Sequence, residues 1–118
     1  MIERHWKGVA KFEEADNYID HLVNDTFPKL KTIEGFGGAS ILKRSVDRGI
    51  EFLVVTVWKS LESISQFAGA QIDVAVVPDL VRSMMVEYDE HVLHFDVVRT
   101  ESDDQMKPDK IERSIVQD

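Results

Sequence analysis

Residues 49–69 constrain this chain more than any other stretch. Ile50-Glu51-Phe52-Leu53-Val54-Val55-Thr56-Val57-Trp58 is β-branched and aromatic, with a single charge. Along a strand, Leu53, Val55 and Val57 point to one side, and Phe52, Val54 and Trp58 to the other. A strand apolar on both faces has to be covered on both faces. Directly after it, Ser60 to Ala68 shifts to helical spacing. Helices can cover one face of a sheet, but a chain of 118 residues has no second layer for the other. A second copy can supply that layer. The expectation is therefore a homodimer with two sheets packed face to face.

The remaining elements follow from periodicity and punctuation. Ile2 to Ala10 reads as the first strand. Ala15, Tyr18, Ile19, Leu22 and Thr26 recur at helical spacing, with Glu13 and Glu14 suited to the positive end of the helix. Pro28 is expected to kink or end it, with Leu30 and Ile33 extending the apolar stripe. Gly35, Gly37 and Gly38 break the helix before a second strand, Ala39 to Ser45. Asp47-Arg48-Gly49 is a hairpin turn, with Gly49 available for positive φ. Ser60 caps the second helix, whose buried face reads as Leu61, Ile64, Phe67 and Ala68. Gly69 interrupts that helix, Ile72 to Val77 resumes it, and Pro78 interrupts it again. Leu80 to Met85 reads as one more short helix and Val92 to Arg99 as the fourth strand. The order βαββαβ is the ferredoxin-like α+β arrangement, a four-stranded antiparallel sheet with helices on one face and strands one and three central. Residues 1–100 form this domain. Residues 101–118 are a polar tail with six acidic and three basic residues, solvated by composition. Ile111, Ile115 and Val116 in it are spaced for a short helical contact.

Composition excludes several classes of function. There are no cysteines, hence no disulfide, thiolate metal site or cysteine nucleophile. A net charge of −8 with no basic patch argues against nucleic acid. No apolar run is long enough to cross a bilayer, and no apolar leader opens the sequence, so a cytoplasmic location is expected. No His/Asp/Glu set has metal-ligand spacing.

Charge on the first strand is the oddest feature. Arg4, His5, Trp6 and Lys7 lie on a strand that the fold puts in the centre, where unpaired charge costs several kcal/mol. Alternation pairs Arg4 with Trp6 and His5 with Lys7. One pair lines a wet pocket and the other faces a partner or solvent, or else the long side chains snorkel at the sheet end. His94, among apolar neighbours, is a base for a phenolic proton or a hydrogen-bonded core histidine. His21 reads as exposed on the polar margin of the first helix. Trp58 and Phe67 are ring-stacking walls or core, and Met84 is a pliable ligand contact or a gap filler.

Several motifs carry a resemblance: Glu34-Gly35-Phe36-x-Gly38, Thr56-Val57-Trp58-Lys59-Ser60, Phe67-Ala68-Gly69, Ala75-Val76-Val77-Pro78 and Val92-x-His94-Phe95-x-Val97. In this order the chain resembles the antibiotic biosynthesis monooxygenase family, notably its uncharacterised bacterial members. The resemblance spans about residues 2–100. It implies a dimeric α+β barrel with a pocket between helices and sheet. It also implies one of the family's activities, such as oxidation of phenols or quinols by O₂ without a cofactor. Haem-degrading members carry a histidine late on the second helix, and Asp73 to Pro78 holds none. The enzyme reading makes His94 or His5 the base, Arg4 the electrostatic partner, and Trp6, Trp58, Phe67 and Met84 the binding walls. The alternative is a non-catalytic homodimer that binds a small apolar or aromatic molecule or serves as an accessory subunit.

Overall fold

The computed structural model describes residues 1–103. Ile111, Ile115 and Val116, singled out in the tail, lie outside the described residues. The sheet has the order β2-β3-β1-β4, with β5 also paired to β1. Its strands are β1 (Ile2–Ala10), β2 (Phe36–Val46), β3 (Gly49–Trp58), β4 (Met85–Tyr88) and β5 (Leu93–Asp96). All pairings are antiparallel, and β1 and β3 are central as expected. Helices cover one face only, which is the ferredoxin-like α+β arrangement. Along β3 the burial alternates. Phe52, Val54, Thr56 and Trp58 are buried under the helices, while Leu53, Val55 and Val57 are half-buried on the open face.

Helical residues 15–30 are continuous, so Pro28 does not end the helix. They comprise α1 (Ala15–His21), a π-helical turn (Leu22–Thr26) and α2 (Phe27–Leu30). A proline inside an α-helix lacks a donor and clashes with the carbonyl four residues back. Here the helix widens just before it, and the Phe27 N–H donates to the Leu22 carbonyl five residues earlier. That widening lets the helix pass the proline without ending.

The turn at Asp47 and Arg48 also forms differently. Gly49 does not adopt positive φ. It is needed for close approach instead: a Cβ there would stand 2.0 Å from the Ala10 carbonyl oxygen. Positive φ is used at Gly35, where the chain leaves the first helical layer with φ 96°.

After β3, the Ser60 hydroxyl caps α3 (Leu61–Ala68) by accepting from the Ser63 N–H, a contact of about 1 kcal/mol. Ile64 is buried there as expected, but Leu61 is exposed. Gly69, at φ 80°, ends the helix. Residues 72–77 do not resume it. Ile72, Val74, Val76 and Val77 are β-branched, and Val77 precedes Pro78, so an extended chain is locally favoured. Tertiary partners complete it: Ala75 N–H donates to Glu90 O, Val92 N–H donates to Asp73 O, and Val74 bridges to His91. The chain then forms α4 (Asp79–Met84). The expected fourth strand is split. β4 and β5 pair with opposite ends of β1, and between them the chain turns aside to pair with residues 73–75. That detour brings Asp73 beside His94. Among the described residues, no helix is long and apolar enough to cross a membrane.

Candidate functional site

Pleating turns Arg4 and Trp6 toward the helices, and His5 and Lys7 toward the open face. Arg4 is only 4% exposed. A guanidinium this deep needs partners, and it finds them on the segment between α3 and α4. Nη1 donates to the Ile72 carbonyl, and Nη2 donates to the Val74 carbonyl at 3.2 Å. Nη1 also donates to Nε2 of His94 at 3.0 Å. Arginine has no acceptor, so Nε2 carries no hydrogen and the imidazole proton sits on Nδ1. Nδ1 donates to Oδ1 of Asp73 at 3.2 Å. Residues 72–74 therefore hold Arg4 directly through two carbonyls and, by way of His94, through a carboxylate. The guanidinium carbon also lies 5.7 Å from the centroid of the Phe67 ring, a cation–π distance.

The electrostatics follow from this geometry. Burial pulls the Arg4 guanidinium down to about 10, against the opposing charge of Asp73. It remains a cation at neutral pH. Burial, then the Arg4 charge, lowers the His94 imidazole, with Asp73 opposing. His94 is neutral at pH 7, and its lone pair is directed at Arg4. Of the five guanidinium hydrogens, the one on Nε and one on Nη2 have no partner among the described residues.

Arg4 borders a cavity of about 80 Å³ between β1, β3 and helical residues 15–30. The sheet contributes Trp6 and Thr56, the helical stretch Tyr18, Thr26 and Phe27, and the later segment Phe67 and Val76. Chambers of about 230 and 50 Å³ lie next to it, sharing Thr26 and Val76 with it, and the three line one side of the helical stretch as a cleft of adjoining chambers. Tyr18 is 2% exposed, and burial pushes its phenol up. Its hydroxyl has no hydrogen-bond partner among the described residues. No enclosed side-chain polar atom there lacks a partner, so this hydroxyl opens on the cleft. Thr56 accepts from the Trp58 indole at 2.8 Å, which leaves its own hydrogen able to donate.

The structure sorts the candidate residues. Arg4, Trp6 and Phe67 line the cavity. His94 reaches Arg4 from behind and is not part of the cavity wall. His5 lies on the open face, 2.9 Å from Glu3 and with its ring 4.9 Å from that of Phe95, away from Arg4. Trp58 is fully buried between Phe36 and Phe67, at ring distances of 5.3 and 6.2 Å. It supports Phe67 from behind and does not wall the cavity. Met84 packs in the core with Met85 and Val81. His21 departs from its expected place: its side chain is only 13% exposed, and it borders the two outer chambers. Sequence reading missed Tyr18, Thr26 and Thr56 as site residues. The available signal was a phenol and a hydroxyl inside an otherwise apolar helical stripe. Among the described residues no group of three or more His, Asp or Glu is placed to hold a metal ion.

No protein-family model matches the sequence, and no curated protein matches it. Solved structures do. A Bacillus cereus protein provisionally assigned as an antibiotic biosynthesis monooxygenase is similar at a TM-score of 0.61 and 18% identity, over 86% of this chain and 97% of that one. Identity that low speaks for the fold, and the chain has the α+β fold of that protein.

Proposed function

We propose that this protein is a cofactor-independent monooxygenase acting on an electron-rich aromatic, a phenol or quinol, in the cleft between helices and sheet. The observation that carries the reading is Arg4, a buried cation that borders a small, mostly apolar cavity and has two N–H groups without a partner among the described residues. A cation in such a place favours a ligand that is flat, apolar and able to become an anion. A phenolate is electron-rich enough to react with O₂ itself. One oxygen atom then bonds to the ring and the other leaves as water. The ring supplies all four electrons, and the phenol becomes a quinone. Arg4 lowers the cost of negative charge in the cavity, first on the phenolate and then on the oxygen that adds to the ring. Fixed donors in a water-poor site act without reorganising.

The likeness to the Bacillus cereus protein supports the fold in which such a cleft occurs. The test is oxygen uptake by metal-free protein against a panel of phenols and quinols. The reading expects one O₂ consumed per quinone formed, with uptake lost in Arg4→Met. No uptake with any substrate, despite binding, would leave the second reading, a non-catalytic aromatic-binding protein. One observation favours that reading: the lone pair of His94 is turned to Arg4 and not to the cavity.

The same proposal includes a homodimer built on the open sheet face. Leu53, Val55 and Val57 on β3 stand beside Leu42 on β2, and Leu93 and Phe95 on β5 extend the patch. Leu42, Leu93 and Phe95 are exposed. Between β3 and β5, β1 turns Glu3, His5 and Lys7 to the same face, so the apolar groups flank a polar strip. Exposed apolar groups on both sides of that strip form a surface for association, and a second copy presents the same face by symmetry.

A further inference from the structure

We infer that His21 is the proton acceptor of the cleft, taking the hydroxyl proton of the aromatic substrate, and so is a catalytic residue of the reaction proposed above, on which this inference rests. The reaction needs a base, and His94 is already hydrogen-bonded to Arg4 through its only lone pair. Of the side chains bordering the three chambers, Arg4 and Lys29 are cations, and burial holds Tyr18 in its neutral form. That leaves His21 and Asp25. An imidazole is the group whose charge ordinarily changes near neutral pH.

Its placement suits the role. His21 is the last residue of α1, directly before the π-helical turn. Such turns recur at functional sites. His21 borders the 50 Å³ chamber together with Trp6 and Tyr18, which also border the inner cavity. The inference places the ring against Trp6 and Tyr18, with its hydroxyl in the chamber that His21 borders. Oδ2 of Asp25 lies 4.0 Å from Nε2. That is too long for a hydrogen bond, but it leaves a carboxylate facing the ring. Lys29 orients the same carboxylate, with Nζ 3.1 Å from Oδ1. The wall facing His21 from later in the chain contributes Gln66, Val76, Pro78 and Val81, none of them titratable. The charged or titratable groups around the cleft are thus Asp25, Lys29, Tyr18 and Arg4.

The step itself is a proton transfer. The phenolic O–H bond breaks, its electron pair stays on oxygen, and a new N–H bond forms on the imidazole. The imidazolium then faces Asp25, and the phenolate shares the cleft with Arg4. No electron moves until O₂ reacts.

The test uses 4-nitrophenol under anaerobic conditions with the full-length chain, following the phenolate absorbance of bound probe against pH. Wild type should ionise the bound probe at lower pH than free probe. His21→Gln should shift that profile upward, and Asp25→Asn should shift it less, in the same direction. With an established substrate, His21→Gln should lower oxygen uptake by roughly 10²–10⁴-fold, with partial rescue by added imidazole. Circular dichroism matching wild type confirms that the variant is folded, and His21→Asn serves as a second variant if Gln does not fold. If wild type and His21→Gln ionise the bound probe identically, His21 is not the acceptor. If wild type binds no 4-nitrophenol at all, the aromatic-binding reading falls and takes this role with it.

Discussion

Nη1 of Arg4 donates to Nε2 of His94 across 3.0 Å, and this contact fixes what His94 can do. A histidine whose lone pair receives an arginine hydrogen is a positioning residue. It aims the guanidinium, and through Nδ1 it ties Arg4 to Asp73. The same contact makes the segment over the cleft part of one unit with β1.

The first prediction concerns pH and His94. Its folded pKa lies below the ordinary 6.5. The stability it contributes is therefore complete above pH 6.5 and is lost as pH falls through the folded value. The drop in Tm between about pH 7.5 and pH 5 should be smaller in His94→Gln than in wild type. In an active preparation, His94→Gln should lower turnover while keeping the shape of the pH–rate profile, because Arg4 shifts but no base is lost. A profile that loses its rising limb in this variant would make His94 the base after all.

Tyr18→Phe separates binding from folding. The hydroxyl has no protein partner among the described residues, so its removal leaves nothing unpaired. Tm should stay the same or rise slightly. Affinity for an oxygenated aromatic should weaken by about 0.5–1.5 kcal/mol, as read by isothermal titration. A large fall in Tm would show that the hydroxyl is structural.

Trp58→Ala should act on stability. The indole is fully buried between two aromatic rings and satisfies Thr56. Its truncation costs about 3–5 kcal/mol, a large part of the roughly 5–15 kcal/mol that holds a domain together. Denaturant titration should show the loss, while Trp58→Phe should recover much of it. An Ala variant with unchanged stability and weakened binding would return Trp58 to the cavity wall.

Val55→Asp tests the dimer. It adds a carboxylate to the open face, opposite His5 on β1, where burial against a second copy carries the cost of desolvating a charge. Light scattering at micromolar concentration should give a dimer for wild type and a monomer for the variant. A wild-type monomer would remove the proposed interface.

The limits of sequence reading are visible in particular residues. Trp58 and Phe67 both read as aromatic walls, but only their stacking order shows that one stands behind the other. His21 sits at a helical position between polar and apolar faces, and the register of the helix alone left it outside. The π-helical turn lies beside it, at a place where an isolated sequence shows only Pro28. Residues 72–77 looked helical by spacing, yet their carbonyls and amides pair with Arg4 and with residues 90–92. A helix would have left the Arg4 guanidinium without those carbonyls.

The sequence by itself determined the order of elements through α3, the central place of β1 and β3, the cap at Ser60 and the apolar third strand. Those features rest on periods of 2 and 3.6 residues and on the backbone preferences of single residue types, which act over a few positions. Only the tertiary structure decided which face of β1 meets the cleft, what His94 bonds to and where His21 points. Arg4 meets Ile72 across 68 positions of sequence and His94 across 90. Contacts that distant are chosen by how layers pack and where buried polar groups find partners, and no local pattern encodes that choice.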